Sequence, residues 1–335
     1  MPVTRSSSDY AVRTTALRKA FRANKQQIEA LKGLDLEVTR GQIFGFLGPN
    51  GAGKTTALRI LTTLLPADAG EAFVAGADVR RRPQDVRRRI GYVGQIGGAD
   101  LSATGRENLS LQGRLYGMTS AETARRVNEL AESLDLKAFS DRIVRTYSGG
   151  QRRRLEVALG IMHRPEVLFL DEPTTGLDPQ NRNNLWDQLR LLRETGTTIC
   201  LTTHYLEEAD QLSDRLAIID HGRIIAEGTP HELKQRFAAS TIRLVPKPGA
   251  VSLEQLGREF AHETFVSGLQ VKDGSVQLRV TDTTEALAAI FGRLRNLGIE
   301  LRTVSLTEPS LDDVFLQETG RSLRDSGEPV AKEAA

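Results

Sequence analysis

The chain has 335 residues, 39% of them apolar and 26% charged, the balance of a folded globular protein, and its length suits about two domains. Lys and Arg number 45 against 43 Asp and Glu, a net charge of +2 that lacks the basic excess of a dedicated nucleic-acid binder. The single cysteine, Cys200, excludes an intrachain disulfide and any zinc site built on cysteines.

Residues 1–11 read as a loose N-terminus without the apolar stretch of a secretory signal. No run approaches the ~20 apolar residues that cross a bilayer. The expectation is a soluble, intracellular chain, whose membrane role would need a partner supplying the spanning helices. From residue 12 to about 237, short apolar strand patterns (43–47, 90–93, 167–170, 198–202, 216–219) alternate with helical ones (54–64, 121–134, 150–163, 180–195, 206–211). Strands buried on both faces and separated by helices predict a parallel α/β sheet.

The first of those strands runs into Gly48, Pro49, Asn50, Gly51, Ala52, Gly53, Lys54, Thr55 and Thr56, which fits G-x-x-x-x-G-K-[ST] between a strand and a helix. In that context the glycines let backbone N–H groups turn towards phosphate oxygens, and the helix N-terminus adds its partial positive charge. Lys54 reaches the β and γ phosphates of a nucleotide, and the Thr55 hydroxyl is placed to ligate Mg2+. The arginines at 80–82 and 87–89 read as a solvated helix face, with an anion or lipid-headgroup contact as the alternative.

Ser148, Gly149, Gly150 and Gln151 open a helix with a basic start. They form a second candidate anion-binding end. The first loop already holds one nucleotide's phosphates, so a second such end suggests a composite site completed by another molecule. Taken alone, the tetrapeptide reads as a loop. The strand 167–170 ends in Asp171 and Glu172. Ligands sit beyond the C-terminal ends of parallel strands, so Asp171 approaches Mg2+ through its water shell and Glu172 orients or deprotonates the attacking water. Cys200, inside a predicted strand, is a small buried hydrophobe.

The text changes character near 238–248, where Pro246, Pro248 and Gly249 read as a linker or turn. Beyond it come strand 241–245, helix 253–261, a strand, a turn at Asp273 and Gly274, strand 276–280, helix 284–297 ended by Gly298, and strand 299–306. That order is a small βαββαβ split sandwich. Residues 320–335 read as a disordered tail.

In this order the motifs resemble the nucleotide-binding domain of ATP-binding cassette (ABC) transporters over residues 12–237. The resemblance implies an α/β P-loop NTPase fold of the ABC type, with a parallel-sheet core, a helical subdomain at about 96–165, and a small α+β domain at 238–319. It implies ATP and Mg2+ as ligands, and further roles. Phe21 sits where the family has its adenine-stacking aromatic, though the residue also reads as a core ring, with Tyr10 as competitor. Gln95 matches the glutamine whose amide oxygen serves Mg2+ or the attacking water. Residues 148–151 match the signature sequence, and Asp171 and Glu172 the Walker B carboxylate and the catalytic glutamate. Asp178 lies in the D-loop match, and His204 matches the switch histidine that donates to the γ-phosphate, or is a strand-end histidine with a local partner. Tyr147 in place of the family's common leucine, the arginines that follow, and the stretches 104–109 and 310–316 resemble the daunorubicin-resistance type of exporter ATPase. Related branches export lipids, polysaccharides and lipo-oligosaccharides.

The implied protein is the ATP-hydrolysing subunit of a drug or antibiotic exporter. It would be a homodimer peripheral to the cytoplasmic face of the cell membrane, bound to an integral-membrane permease and to no nucleic acid. A non-transport ATPase of the same fold acting on ribosomes or DNA is the rival. A single cassette without coiled-coil insertions, at a charge of +2, speaks against it.

Overall fold

A computed structural model of the chain describes residues 9–23, 26–237 and 240–322. Most of the expected loose N-terminus and tail, residues 1–8 and 323–335, lies outside the described residues. The described residues form two compact units, divided between Pro230 and His231.

The first unit holds two sheets. β1 (Tyr10–Ala23), β2 (Gln26–Thr39), β4 (Ala69–Val74) and β5 (Ala77–Asp78) form an antiparallel sheet in the order β2-β1-β4-β5. This sheet is absent from the sequence reading, and the reason is local. β1 starts at Tyr10, and its pairing with β2 shifts register near Ala16, whose φ is 46°. Such irregularities break the period of two by which a half-buried strand is read.

The second sheet comprises β3 (Ile43–Leu47), β6 (Ile90–Val93), β7 (Val167–Asp171), β8 (Thr198–Thr203), β9 (Arg215–Asp220) and β10 (Arg223–Gly228), in the order β10-β9-β3-β8-β7-β6. All neighbours are parallel except β10, which folds back on β9 through the two-residue turn His221-Gly222, both at positive φ. Alternate residues feed two cores. Phe44, Phe46, Phe169 and Cys200 face one side, with Leu58 and Ile60 of α1 (Lys54–Leu61). Ile43, Leu168, Leu170, Ile199 and Leu201 face the other.

That second core is closed by α3 (Gly105–Leu115), α4 (Ser120–Ser133), α5 (Gly149–Gly160) and α6 (Pro179–Glu194), which contribute Leu109, Val127, Leu155 and Trp186. Capping boxes at Thr104/Glu107, Thr119/Glu122 and Ser148/Gln151 set where α3, α4 and α5 begin. α2 (Pro83–Arg89) and α7 (Leu206–Leu212) complete the unit. The arginines at 80–82 and 87–89 are all exposed, as a solvated face requires, and Arg80, Arg82 and Arg89 also donate to the carbonyls of Ala67, Gly76 and Ala75.

The second unit contains nearly all of α8 (Pro230–Phe237), then β11 (Ser240–Pro246), α9 (Leu253–Phe260), β12 (Val266–Lys272), β13 (Ser275–Val280), α10 (Thr283–Leu297), β14 (Leu301–Thr307) and α11 (Leu311–Thr319). Its antiparallel sheet has the order β12-β13-β11-β14 over a core of Ile242, Leu244, Phe260, Leu278 and Ile290. The proline region read as a linker is partly strand: Pro246 is the last residue of β11, at a register shift where a missing N–H is tolerated. The compact units divide at the first residue of α8, between Pro230 and His231, whereas the sequence places the change of character near 238.

Candidate functional site

β3 is buried throughout and delivers the chain to Gly48. Gly53, with φ 109°, is the N-cap of α1 and offers no side-chain cap, and no acidic residue occupies the first turn. The helix N-terminus is thus left with its donors and its partial positive charge for an anion. Space as well as conformation demands glycine: a Cβ on Gly53 would lie 2.5 Å from Ala30 O, and one on Gly48 would collide with the Ile219 carbonyl. Ala52 N donates to Pro49 O at 3.2 Å and closes the loop.

Lys54 is buried, and its Nζ donates to Gly48 O at 2.6 Å and Pro49 O at 3.1 Å. Burial pushes its pKa below the usual ammonium value, while the charges of Glu172 and Asp171 push it back up. Thr55 Oγ1 donates to Asp171 Oδ1 at 3.0 Å, so the loop threonine and the strand-end carboxylate touch. Thr202, at the end of the adjacent β8, donates to the same oxygen at 2.6 Å and accepts from Glu172 N at 3.0 Å. One hydroxyl therefore holds the Asp171 carboxylate and the Glu172 backbone, a role for Thr202 that the sequence reading did not identify. Its only trace in the text is the Thr202-Thr203-His204 strand end.

Glu172 stands at the centre of a second set of contacts. His204 Nδ1 lies 3.3 Å from its Oε1, an ion-pair distance rather than a well-aligned hydrogen bond. Thr175 Oγ1 donates to Oε2 at 3.2 Å, and Gln95 Nε2 approaches the same oxygen at 3.5 Å. The His204 imidazole beside it holds the Glu172 carboxyl below the usual carboxylate range, against the opposing effect of burial. The group is accordingly an anion at neutral pH, able to accept a proton or a hydrogen bond from water. Its φ of 47° is unusual for a residue with a side chain, the kind of backbone strain that collects at working sites. His204 itself packs on Tyr205, ring centroids 4.2 Å apart.

Lys54, Thr55, Asp171, Glu172, Gln95 and His204 are thus brought together. Residues 148–151, Asp178 and Phe21 are not tied to that cluster by hydrogen bonds among the described residues. Ser148 Oγ accepts from Gln151 N at 3.2 Å and Gln151 Oε1 accepts from Ser148 N at 3.1 Å, the box that starts α5. Asp178 caps α6, accepting from Asn181 N at 2.9 Å and Asn181 Nδ2 at 2.6 Å. Asn181 in turn lies so close to Gly150 that a Cβ there would collide with it. Signature and D-loop residues therefore form a second cluster of their own. Phe21 is on β1 and 40% exposed, so it is a surface ring rather than a core one, with Lys19 Nζ over the ring at 5.7 Å from its centroid.

Among the described residues, no three or more His, Cys, Asp or Glu converge as a metal site. Thr55 and Asp171 nevertheless offer one hydroxyl and one carboxylate oxygen side by side. That sparse oxygen set fits Mg2+, which takes one or two protein ligands and completes its shell from water and phosphate. No described helix is long and apolar enough to cross a membrane.

The family model described as "ABC transporter" matches residues 31–175, and one described as "ATP-binding protein DrrA1-3-like, C-terminal domain" matches residues 228–319. The chain is 45% identical to the daunorubicin/doxorubicin resistance ATP-binding protein DrrA of Streptomyces peucetius, covering 96% of this chain and 97% of that one. It is 42% identical to the doxorubicin resistance ATP-binding protein DrrA of Mycobacterium tuberculosis, over 93% and 95%. Among solved structures, it is similar to a dimeric post-hydrolysis state of the ATP-binding cassette MJ0796 bound to ADP and Pi, with TM-score 0.60 and 25% identity over 65% of this chain and 98% of that one.

Proposed function

The chain belongs to the ABC transporter family as an ATP-hydrolysing cassette with a DrrA-type C-terminal domain, and from that premise we propose that it energises export of a hydrophobic drug or antibiotic-like substrate through a separate membrane permease. The observation that carries the reading of the site is the Glu172 carboxylate, held by His204, Thr175 and Gln95 next to the Lys54–Thr55–Asp171 contact. The choice of substrate class is supported by the drug-resistance names of relatives matched over nearly their whole length.

In this reading the N-terminus of α1 and Lys54 bind the β and γ phosphates, and Phe21 stacks on the adenine. Thr55 and Asp171 would hold Mg2+, with Gln95 within the same loop cluster; bound there, the ion neutralises phosphate charge. Glu172 orients the attacking water and takes its proton, and His204 holds Glu172 and donates to the γ-phosphate. Residues 148–151 and Asp178 serve the nucleotide of a second copy, so that a head-to-tail homodimer builds two composite sites at the cytoplasmic face of the membrane.

The test uses the full-length chain with Mg-ATP. Glu172→Gln keeps ATP binding and lowers turnover by about a hundredfold or more; turnover at the wild-type rate overturns the role of Glu172. Drug export is tested in a drug-sensitive host making the chain with its permease. Cells efflux an anthracycline with the intact chain and not with Lys54→Ala; equal efflux in both overturns it.

A further inference from the structure

The basic start of α5 hides two different arginines. Arg154 reaches across to Asp135 at 2.8 Å and lies 5.2 Å over the Phe139 ring, away from the Glu172 turn. Arg153 turns inward and is only 8% exposed. Its Nε donates to Pro173 O at 2.7 Å, its Nη2 to Asp171 O at 3.2 Å, and its Nη1 to Gly94 O at 2.8 Å and to Glu156 Oε2 at 3.0 Å. Glu156, equally buried and one turn on, balances the charge. It also packs so closely under the loop that holds Gln95 that a Cβ on Gly97 would collide with its carboxylate.

The placement of these carbonyls is informative. Asp171 O and Pro173 O belong to the residues on either side of Glu172, and Gly94 immediately precedes Gln95. Glu172 holds a backbone conformation, φ 47°, that persists only where its surroundings over-determine it. A planar guanidinium with five fixed donors can grip three carbonyls of two loops at once, whereas an ammonium is a point charge on a flexible stem. We propose that Arg153 is a positioning residue for hydrolysis. It clamps the turn that presents Glu172, and ties that turn and the Gln95 loop to the helix that begins with the signature sequence. The proposal rests on the reading of Glu172 as the group that activates water.

The full-length chain with Mg-ATP provides the test. Arg153→Lys keeps the charge opposite Glu156 and loses the fork. It is expected to lower kcat at least about tenfold, as misplacement of a catalytic group does, with the Kd of a slowly hydrolysed ATP analogue changed less than about threefold because Lys54 and Thr55 are untouched. In a Glu172→Gln background the same substitution is expected to leave the residual rate unchanged within about twofold, since the group it positions is gone. A general structural role would lower both rates alike. Should Arg153→Lys fold poorly, Arg153→Met with Glu156→Leu removes both buried charges and is expected to show the same loss of kcat at an intact Tm. A wild-type kcat in either variant, or equal losses in both backgrounds, overturns the proposal. Normal turnover by Glu172→Gln alone would instead overturn the reading of Glu172, and the role of Arg153 with it.

Discussion

Glu208 lies in the first turn of α7, fully buried, with Oε1 accepting from Trp186 Nε1 at 3.1 Å. Burial holds its carboxyl above the usual carboxylate range. The fold therefore favours the protonated form more than the unfolded chain does. As pH rises through the ordinary carboxylate range the unfolded chain releases this proton first, and stability falls until the raised folded value is passed. Glu208→Gln keeps the shape and the acceptor and removes that loss. Its Tm is expected to equal or exceed that of the parent at pH 8, with a flatter pH dependence from pH 4 to 8; a lower Tm across the whole range would refute this. The loop 48–56 and the pair Asp171–Glu172 were legible because each is a run of neighbours whose chemistry is local. Thr202, Arg153 and Glu208 were not, because each gains its role only from partners across the fold, as Arg153 does from Pro173. In the text Arg153 is one of three like residues; its partners, the carbonyls of Gly94, Asp171 and Pro173, are what separate it from Arg154, which bonds Asp135.

At the level of elements, the strands that carry the site were legible because β3 and β7 are buried on both faces and appear as unbroken apolar runs. β1 and β2 place polar residues on one face and slip register, so their pattern is diluted. α11 went unread as a helix; the stretch 310–316 entered only as a family resemblance, although Ser310 and Asp313 form its capping box. The junction of α5 and α6 gives a prediction of its own. Gly150 abuts Asn181, the residue that also satisfies Asp178. Gly150→Ala must displace that amide and with it the Asn181 Nδ2 contact to Asp178 at the start of α6. Overpacking of this kind is expected to lower stability by about 1–3 kcal/mol, read as a fall in Tm, and to cut turnover while ATP-analogue affinity at the Lys54 cluster stays within about threefold. Loss of affinity in step with turnover would show that the two clusters are not separable.

For the whole molecule, the count of parts carries the argument. The chain contains one loop 48–56 and one signature sequence, and their side-chain contacts run in two separate clusters. The change of pattern near 238 points to two units, and the compact units divide between Pro230 and His231. Assembly was legible only as an incomplete inventory. A two-fold dimer makes residue i of one copy meet residue j of the other and j meet i, so each composite site would take Lys54 from one copy and Ser148 from its partner. Lys54→Ala and Ser148→Arg are each expected to be inactive alone, because each spoils both sites of its own homodimer. Mixed in equal amounts with free exchange, about half of the dimers are mixed, and each of those keeps one intact site and one doubly damaged one. If the two sites fire independently, turnover returns to about a quarter of the wild-type rate in a steady-state ATPase assay. Were every site built within one chain, the mixture would stay as inactive as either variant alone.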